Sequence, residues 1–391
     1  MFRAYSIFSC KRLYSTCKNS NIRIKTTKER KEYFESVTSW KANDTFHKEG
    51  TNVKEARLPK KKVAALIGFN GTGYQGMQLN PDARTIEGVL FDAFCKAGAI
   101  STDNSTDPKK VQLMRAARTD KGVHAACNII SLKMIIQDEN IVSKINNILP
   151  DQIRVWGFVE TQRSFHAKTA CDSRIYEYLL PTYTLQPPLE RVIREKPTSD
   201  KDIKILTEDS ATIFYVAPKS QQELLNYRVS KDRFDMFKDA MLKFKGTHDF
   251  HNYTVRRGLH DNATRRYIID INIQEPMIIK GMEWISIKLH GQSFMLHQIR
   301  KMISMAMLSV RTGTPNLIID KSFEGSKINI PKAPALGLLL DQPVFQCYNK
   351  RIESVETKDP IDPSKYKDEI DEFRRKYIHT KIFEQELREN V

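Results

Sequence analysis

The stretch that most constrains the fold is a polar turn between two apolar flanks. Val111-Gln112-Leu113-Met114 leads in, and Val123-His124-Ala125-Ala126-Cys127-Asn128-Ile129-Ile130-Ser131-Leu132 leads out. Between them stands Arg118-Thr119-Asp120-Lys121-Gly122, where Asp and Gly tolerate the backbone angles of a tight turn. Two apolar flanks joined by such a turn commit this part of the chain to a sheet. Asp120 is surrounded in sequence by the cations Arg115, Arg118 and Lys121. A charged hairpin tip explains the pattern. So does a carboxylate held ionised at a strand end, which suits a nucleophile or base rather than an acid. Taken alone, the residues leave both readings open.

With 391 residues the chain can bury a large core and divide into two domains. Its formal charge is +16. Residues 1–28 carry seven cations and no acid, and subtracting those seven from +16 leaves +9 on the rest. A partner with a phosphate backbone would require such a basic body, although a charge surplus can also be solvated surface. The first 28 residues, rich in Arg, Lys, Ser and aromatics, have the composition of a mitochondrial transit peptide. The competing reading is a disordered basic arm on RNA. Residues 29–60 read as a polar linker. Lys60-Lys61-Lys62 admits a nuclear-signal reading but directly precedes a strand. No apolar run approaches a membrane span. The six cysteines form no C-x-x-C pair, so neither a disulfide framework nor a zinc site is indicated. Cys95, Cys127 and Cys347, with apolar neighbours, read as small core residues.

In chain order, Val63–Phe69 reads as a buried strand running into a loop with Gly71, Gly73 and Gly76. That loop must turn sharply or approach something closely, and no Lys-Ser or Lys-Thr follows to make it a Walker loop. Thr85 is placed to cap a helix carrying Ile86, Leu90, Ala93 and Phe94. A short helix over 141–149 and a strand over 153–159 follow. In the strand 173–180, Arg174, Tyr176 and Tyr178 share one face, with Ile175, Glu177 and Leu179 on the other. Residues 185–229 read as a surface insertion. A helix from Ser230 to a stop at Gly246 presents Phe234, Phe237, Met241, Leu242 and Phe244. His248 and His251 read as hydrogen-bonding loop residues rather than metal ligands. The segment from Gly291 reads as a helix with Leu296, Ile299, Ile303, Ala306 and Val310 on one face. Ser293, His297, Arg300 and Ser304 make a polar stripe along it. A buried Arg300 would need a carboxylate partner; otherwise it reaches solvent past the helix end. Leu338 can line a pocket or simply pack. A C-terminal helix is expected over 370–387.

Six phrases carry a resemblance. RAARTDKGVHA around Asp120, GTGYQGMQ from Gly71, the RxYxY pattern from Arg174, GTHDFHNYT from Gly246, GQSFMLHQIRKM from Gly291 and APALGLLL from Ala333 resemble TruA-type tRNA pseudouridine synthases. They span roughly residues 63–345 in the family's order. The resemblance implies an α+β fold of two half-domains, 61–184 and 230–347, sharing one long mixed, largely antiparallel sheet flanked by helices, with a central cleft. A helical extension over 348–391 points to the eukaryotic branch. It implies a tRNA partner and isomerisation of uridine to pseudouridine without cofactor or obligatory metal; no membrane and no required protein partner are expected, and the chain is expected to be a monomer. Asp120 would be catalytic and Tyr176 would stack on the uracil. Arg300 would pair with Asp120, and Leu338, Arg118 and His297 would contact substrate. Anticodon-stem positions 27 and 28 are expected targets, with positions 38 and 39 as the alternative. A tRNA-binding chaperone without catalysis is a different class of reading, which a degraded Asp120 or Tyr176 would have favoured. A glycoside hydrolase usually needs two flanking carboxylates, and the motif holds one.

Overall fold

A computed structural model describes residues 58–355 and 357–389, except 81, 260 and most of 188–219, where only the backbone of 192–193, 203–206 and 213–216 is placed. The expected import segment and nearly all of the linker lie outside the described residues.

The framework is one large sheet. Its strands are β1 (Lys61–Phe69), β2 (Met114–Arg115), β3 (His124–Met134), β4 (Ile153–Glu160) and β5 (Ser173–Pro181). A separate three-stranded sheet follows, formed by β6 (Val192–Ile193), β7 (Ile203–Leu206) and β8 (Ile213–Val216). The large sheet resumes with β9 (Gly246–Asp249), β10 (Arg265–Ile273), β11 (Met277–Ile279), β12 (Met282–Gly291) and β13 (Leu338–Val344). The order across the sheet is β4-β1-β3-β13-β5-β12-β10-β9, with β2 on β3 and β11 on β12. All pairings are antiparallel except β13 with β3. The fold is therefore α+β with a mixed, mostly antiparallel sheet.

The last strand of the sheet is inserted at its centre. β13 lies between β3 and β5, pairing Leu340 with both Ala125 and Tyr176. Tyr176 is paired on its other side with Leu289 of β12. β3 is buried on both faces along nearly its whole length, and its polar residues His124, Asn128 and Ser131 are buried with the rest.

The two faces carry separate cores. Helices α1 (Ile86–Lys96), α2 (Ile141–Ile148), α3 (Lys231–Leu242) and α4 (Gln298–Thr312) cover the first. Thr85 caps α1 by accepting from Gly88 N at 3.3 Å, as its sequence predicts. On the second face the C-terminal helix covers Leu66, Ile129 and Trp284 with Phe373, Ile378, Ile382 and Phe383. Each of those four contributes roughly 1.5–3 kcal/mol by leaving water. Along β5 the side chains alternate as expected: Tyr176 and Tyr178 join the first core, Leu179 the second. Among the described residues no helix is long and apolar enough to cross a membrane.

Some expected details differ. α3 ends at Leu242 rather than running to Gly246, which instead opens β9 with φ +103°. Leu242 is exposed at the end of α3, one position past the buried face of Phe234, Phe237 and Met241, and Cys347 is exposed as well. The C-terminal helix is not uniform: six residues, Arg374–His379, form a π-helical turn between two α segments.

Candidate active site

Asp120 is held in place from several directions. The buried Asn128 of β3 grips the backbone before it, accepting from Ala117 N at 3.3 Å and donating to Ala117 O at 3.0 Å. Val123 N closes the turn onto Asp120 O at 3.1 Å, with Gly122 at φ +77°. From the other side comes the glycine loop. A Cβ on Gly71 would stand 2.1 Å from Val123 O, and one on Gly76 would stand 2.8 Å from Thr119 O. The close approach expected of those glycines is thus to the Asp120 turn itself. Gly71 N also donates to Nδ1 of His124, which is wholly buried. Burial lowers that histidine's pKa to about 4, so the ring is neutral, and with Nδ1 accepting, its proton sits on Nε2. Arg115 does not face Asp120. It pairs with the buried Glu87 of α1.

The partner of the Asp120 carboxylate is His297, whose Nδ1 lies 3.0 Å from Oδ2. His297 adopts a left-handed conformation, φ +66°, immediately before α4, and histidine is among the few residues that take that region readily. The helix therefore begins at Gln298, not at Gly291, and the stripe from Ser293 to Arg300 is not a helical face. Leu296, expected in the core, is half exposed. Burial pushes the His297 pKa down, against the pull of Asp120. With Nδ1 facing a carboxylate oxygen, which can only accept, the ring donates from Nδ1.

Arg300 is not the direct partner. Its Nε donates to the Ala333 carbonyl at 2.6 Å, and Ala333 N returns a bond to Arg300 O at 3.1 Å. The predicted Asp120–Arg300 contact is replaced by His297, which the left-handed turn brings forward. Arg300 still acts on Asp120 through space, since the two charges interact electrostatically. It also fixes the segment leading to Leu338.

Around this carboxylate a cleft of about 360 Å³ is lined by Arg118, Thr119, Tyr176, Phe294, His297, Arg300 and Leu338. Every residue singled out from the sequence as a site candidate therefore lines one cleft. Tyr176 is buried, with Phe294 edge-on to its ring at 5.3 Å and 83°. Burial raises the Tyr176 hydroxyl to about 12, which keeps it neutral. Arg118 is exposed at the mouth. Tyr178 belongs to the core, donating its hydroxyl to Pro334 O at 3.1 Å.

Three contributors escaped the sequence reading. Arg174 bridges the two sides of the cleft, donating to Ala116 O at 2.9 Å and Gln292 O at 3.0 Å. Asn128 and Phe294 are the others. Asn128 carried no signal among apolar neighbours, whereas Arg174 opens the RxYxY pattern and Phe294 lies within GQSFMLHQIRKM. The second-half histidines are engaged locally: His248 stacks on Phe323 at 4.2 Å and His251 Nδ1 meets Asp249 at 3.1 Å.

Residues 240–346 match the family model described as tRNA pseudouridine synthase. Among curated relatives, tRNA pseudouridine synthase 1 of Yarrowia lipolytica is 42% identical over 388 residues, covering 86% of this chain and 74% of that protein. The protein of the same name from Eremothecium gossypii is 47% identical over 386 residues, covering 86% and 73%. That of Saccharomyces cerevisiae is 45% identical over 407 residues, covering 88% and 75%.

Proposed function

This chain belongs to the TruA-type tRNA pseudouridine synthase family, and from that premise we propose that it isomerises uridine to pseudouridine at positions 27 and 28 of the tRNA anticodon stem. The observation that carries the chemistry is the Asp120–His297 contact in a cleft walled by Tyr176. The reaction breaks the C1′–N1 bond, turns the uracil and closes C1′–C5; N1 gains a proton and C5 loses one. A stacked uridine is out of reach, so the base must leave the helix and enter the cleft. As the glycosidic bond breaks, positive charge develops on the sugar, and the Asp120 carboxylate is the group placed to answer it. His297 orients that carboxylate by donating to Oδ2. Tyr176 offers a flat neutral ring to hold the detached uracil, and Arg300 adds positive potential behind Asp120. No protein partner is required, and the working unit is a monomer.

The location proposed is mitochondrial, on the composition of residues 1–28. Lys62 supports this over a nuclear signal at Lys60–Lys62: it is buried in β1 with Nζ on Gln112 O at 3.2 Å.

The deciding experiment maps pseudouridine in cytosolic and mitochondrial tRNA from cells lacking the protein, then after re-expression of wild type or Asp120→Asn. Loss at 27 and 28, restored by wild type alone, is the expected result. Loss at 38 and 39 would overturn the positions, and restoration by Asp120→Asn would overturn the catalytic role.

A further inference from the structure

Beside the catalytic cleft lies a second one, lined by Thr254, Val255, Arg256, Arg257, Arg266 and Leu296. Met295 and Leu296 border both, so a single wall separates them. Its charge is lopsided. Against three guanidinium groups stands one neighbouring carboxylate, Asp261, which accepts from Arg257 Nη1 at 2.7 Å. Arg266 is half-buried, its Nε is sealed from solvent without a hydrogen-bond partner, and its Nη1 reaches only the Arg265 carbonyl at 3.5 Å. Burial, and then the adjacent Arg257 charge, both lower its pKa. A guanidinium so placed is stabilised by an anion at its outer nitrogens.

The cleft is also firmly built into the catalytic apparatus. Lys301, buried and next in sequence to Arg300, donates through Nζ to the carbonyls of Asn252 and Thr254, each at 3.0 Å. Thr254 Oγ1 donates to Leu296 O at 3.1 Å. The arginine loop is thus tied to the same helix start that brings His297 to Asp120.

We propose that this arginine cleft is a phosphodiester subsite, gripping the RNA backbone next to the extruded uridine. The proposal rests on the RNA substrate argued above. Forked guanidinium donors match phosphate oxygens and carry no base information, so the subsite fixes register while the neighbouring cleft receives the base. Leu296, 50% exposed, stands on the wall between the two.

The test uses the full chain and an unmodified tRNA stem-loop containing a uridine that wild type converts. Binding is measured across KCl concentrations for wild type, Arg256→Ala and Arg266→Gln, with thermal melting as a check on folding. Each folded variant should lower the slope of log K against log[KCl] by about 1. Methylphosphonates are then placed singly at phosphates flanking that uridine. One of them should weaken wild-type binding about tenfold, the size of one charge-assisted hydrogen bond. The same substitution should cost the arginine variants nothing further. Unchanged slopes in folded variants, or losses that simply add, would overturn the subsite. Should Arg266→Gln fail to fold, the exposed Arg256→Ala decides alone. Conversion of the stem-loop is scored separately: a wild type that binds it and makes no pseudouridine overturns the functional reading rather than the subsite.

Discussion

At the scale of single residues, the Asp120 carboxylate meets a histidine rather than a guanidinium. His297→Phe keeps a ring but removes the proton that Nδ1 donates to Asp120. A hydrogen bond to a charged group contributes about 1.5–3 kcal/mol, so the single-turnover rate at saturating enzyme should fall about 10- to 100-fold. A fall below twofold would mean Asp120 is oriented by its turn alone. Arg300 makes a different prediction, because its effect on Asp120 is long-range. Arg300→Met removes that cation together with the Nε bond to Ala333, so the single-turnover rate at saturating enzyme should fall. Arg300→Lys keeps the charge and loses the Nε bond to Ala333, so it should lie between. An Arg300→Lys rate as low as that of Arg300→Met would reduce Arg300 to its hold on Ala333. The sequence made Arg300 and Asp120 legible as charges in need of partners. The conformation of His297, which decides who meets whom, left no mark in a periodicity that looked helical from Ser293 onward.

At the scale of elements, the glycine loop and the Asp120 turn are two halves of one feature. Gly71→Ala would bring a methyl to 2.1 Å from Val123 O, a contact that only backbone movement relieves. The movement displaces the turn that carries Asp120. Turnover should therefore fall at least tenfold with a smaller relative loss of tRNA affinity, because misplacing a reacting group costs rate before binding. Affinity and rate lost together would instead indicate general unfolding of the loop. Close approach was readable from three glycines in six residues; its partner, more than forty residues on, was not. Local signals served well where the cause is local. Thr85 caps α1, and the Tyr176–Leu179 alternation divides correctly between two cores. Non-local placement was beyond such signals. Nothing in APALGLLL says that β13 enters between β3 and β5, or that Arg174 ties Ala116 to Gln292.

At the scale of the whole molecule, the back of the sheet supports the front. Tyr176 faces the cleft, and its neighbour Glu177 points the other way, buried under the C-terminal helix. Glu177 Oε1 accepts from Ser286 Oγ at 2.6 Å, while Oε2 lies 3.6 Å from His379 Nε2 and 4.0 Å from Arg374 Nη1. Arg374 and His379 are five residues apart, a spacing that an ordinary α-turn splays and a π-turn brings to one side. The wider turn thus lets one helix aim two groups at a single acid. Burial opposes the Glu177 charge, but His379, Ser286 and Arg374 outweigh it and lower the pKa from the ordinary 4.5 to about 2. A depressed carboxylate contributes stability above its unfolded pKa and loses it as pH falls through the folded one. The window is therefore from about 4.5 down to about 2. Above it the contribution is about 3 kcal/mol. Glu177→Gln should destabilise the protein by that order at pH 7, as read by urea unfolding followed through Trp156 and Trp284 fluorescence. Toward pH 3 the gap between variant and wild type should narrow, because wild type is by then losing the same interaction. A gap as wide at pH 3 as at pH 7 would mean that Glu177 acts by shape and hydrogen bonding rather than by its charge.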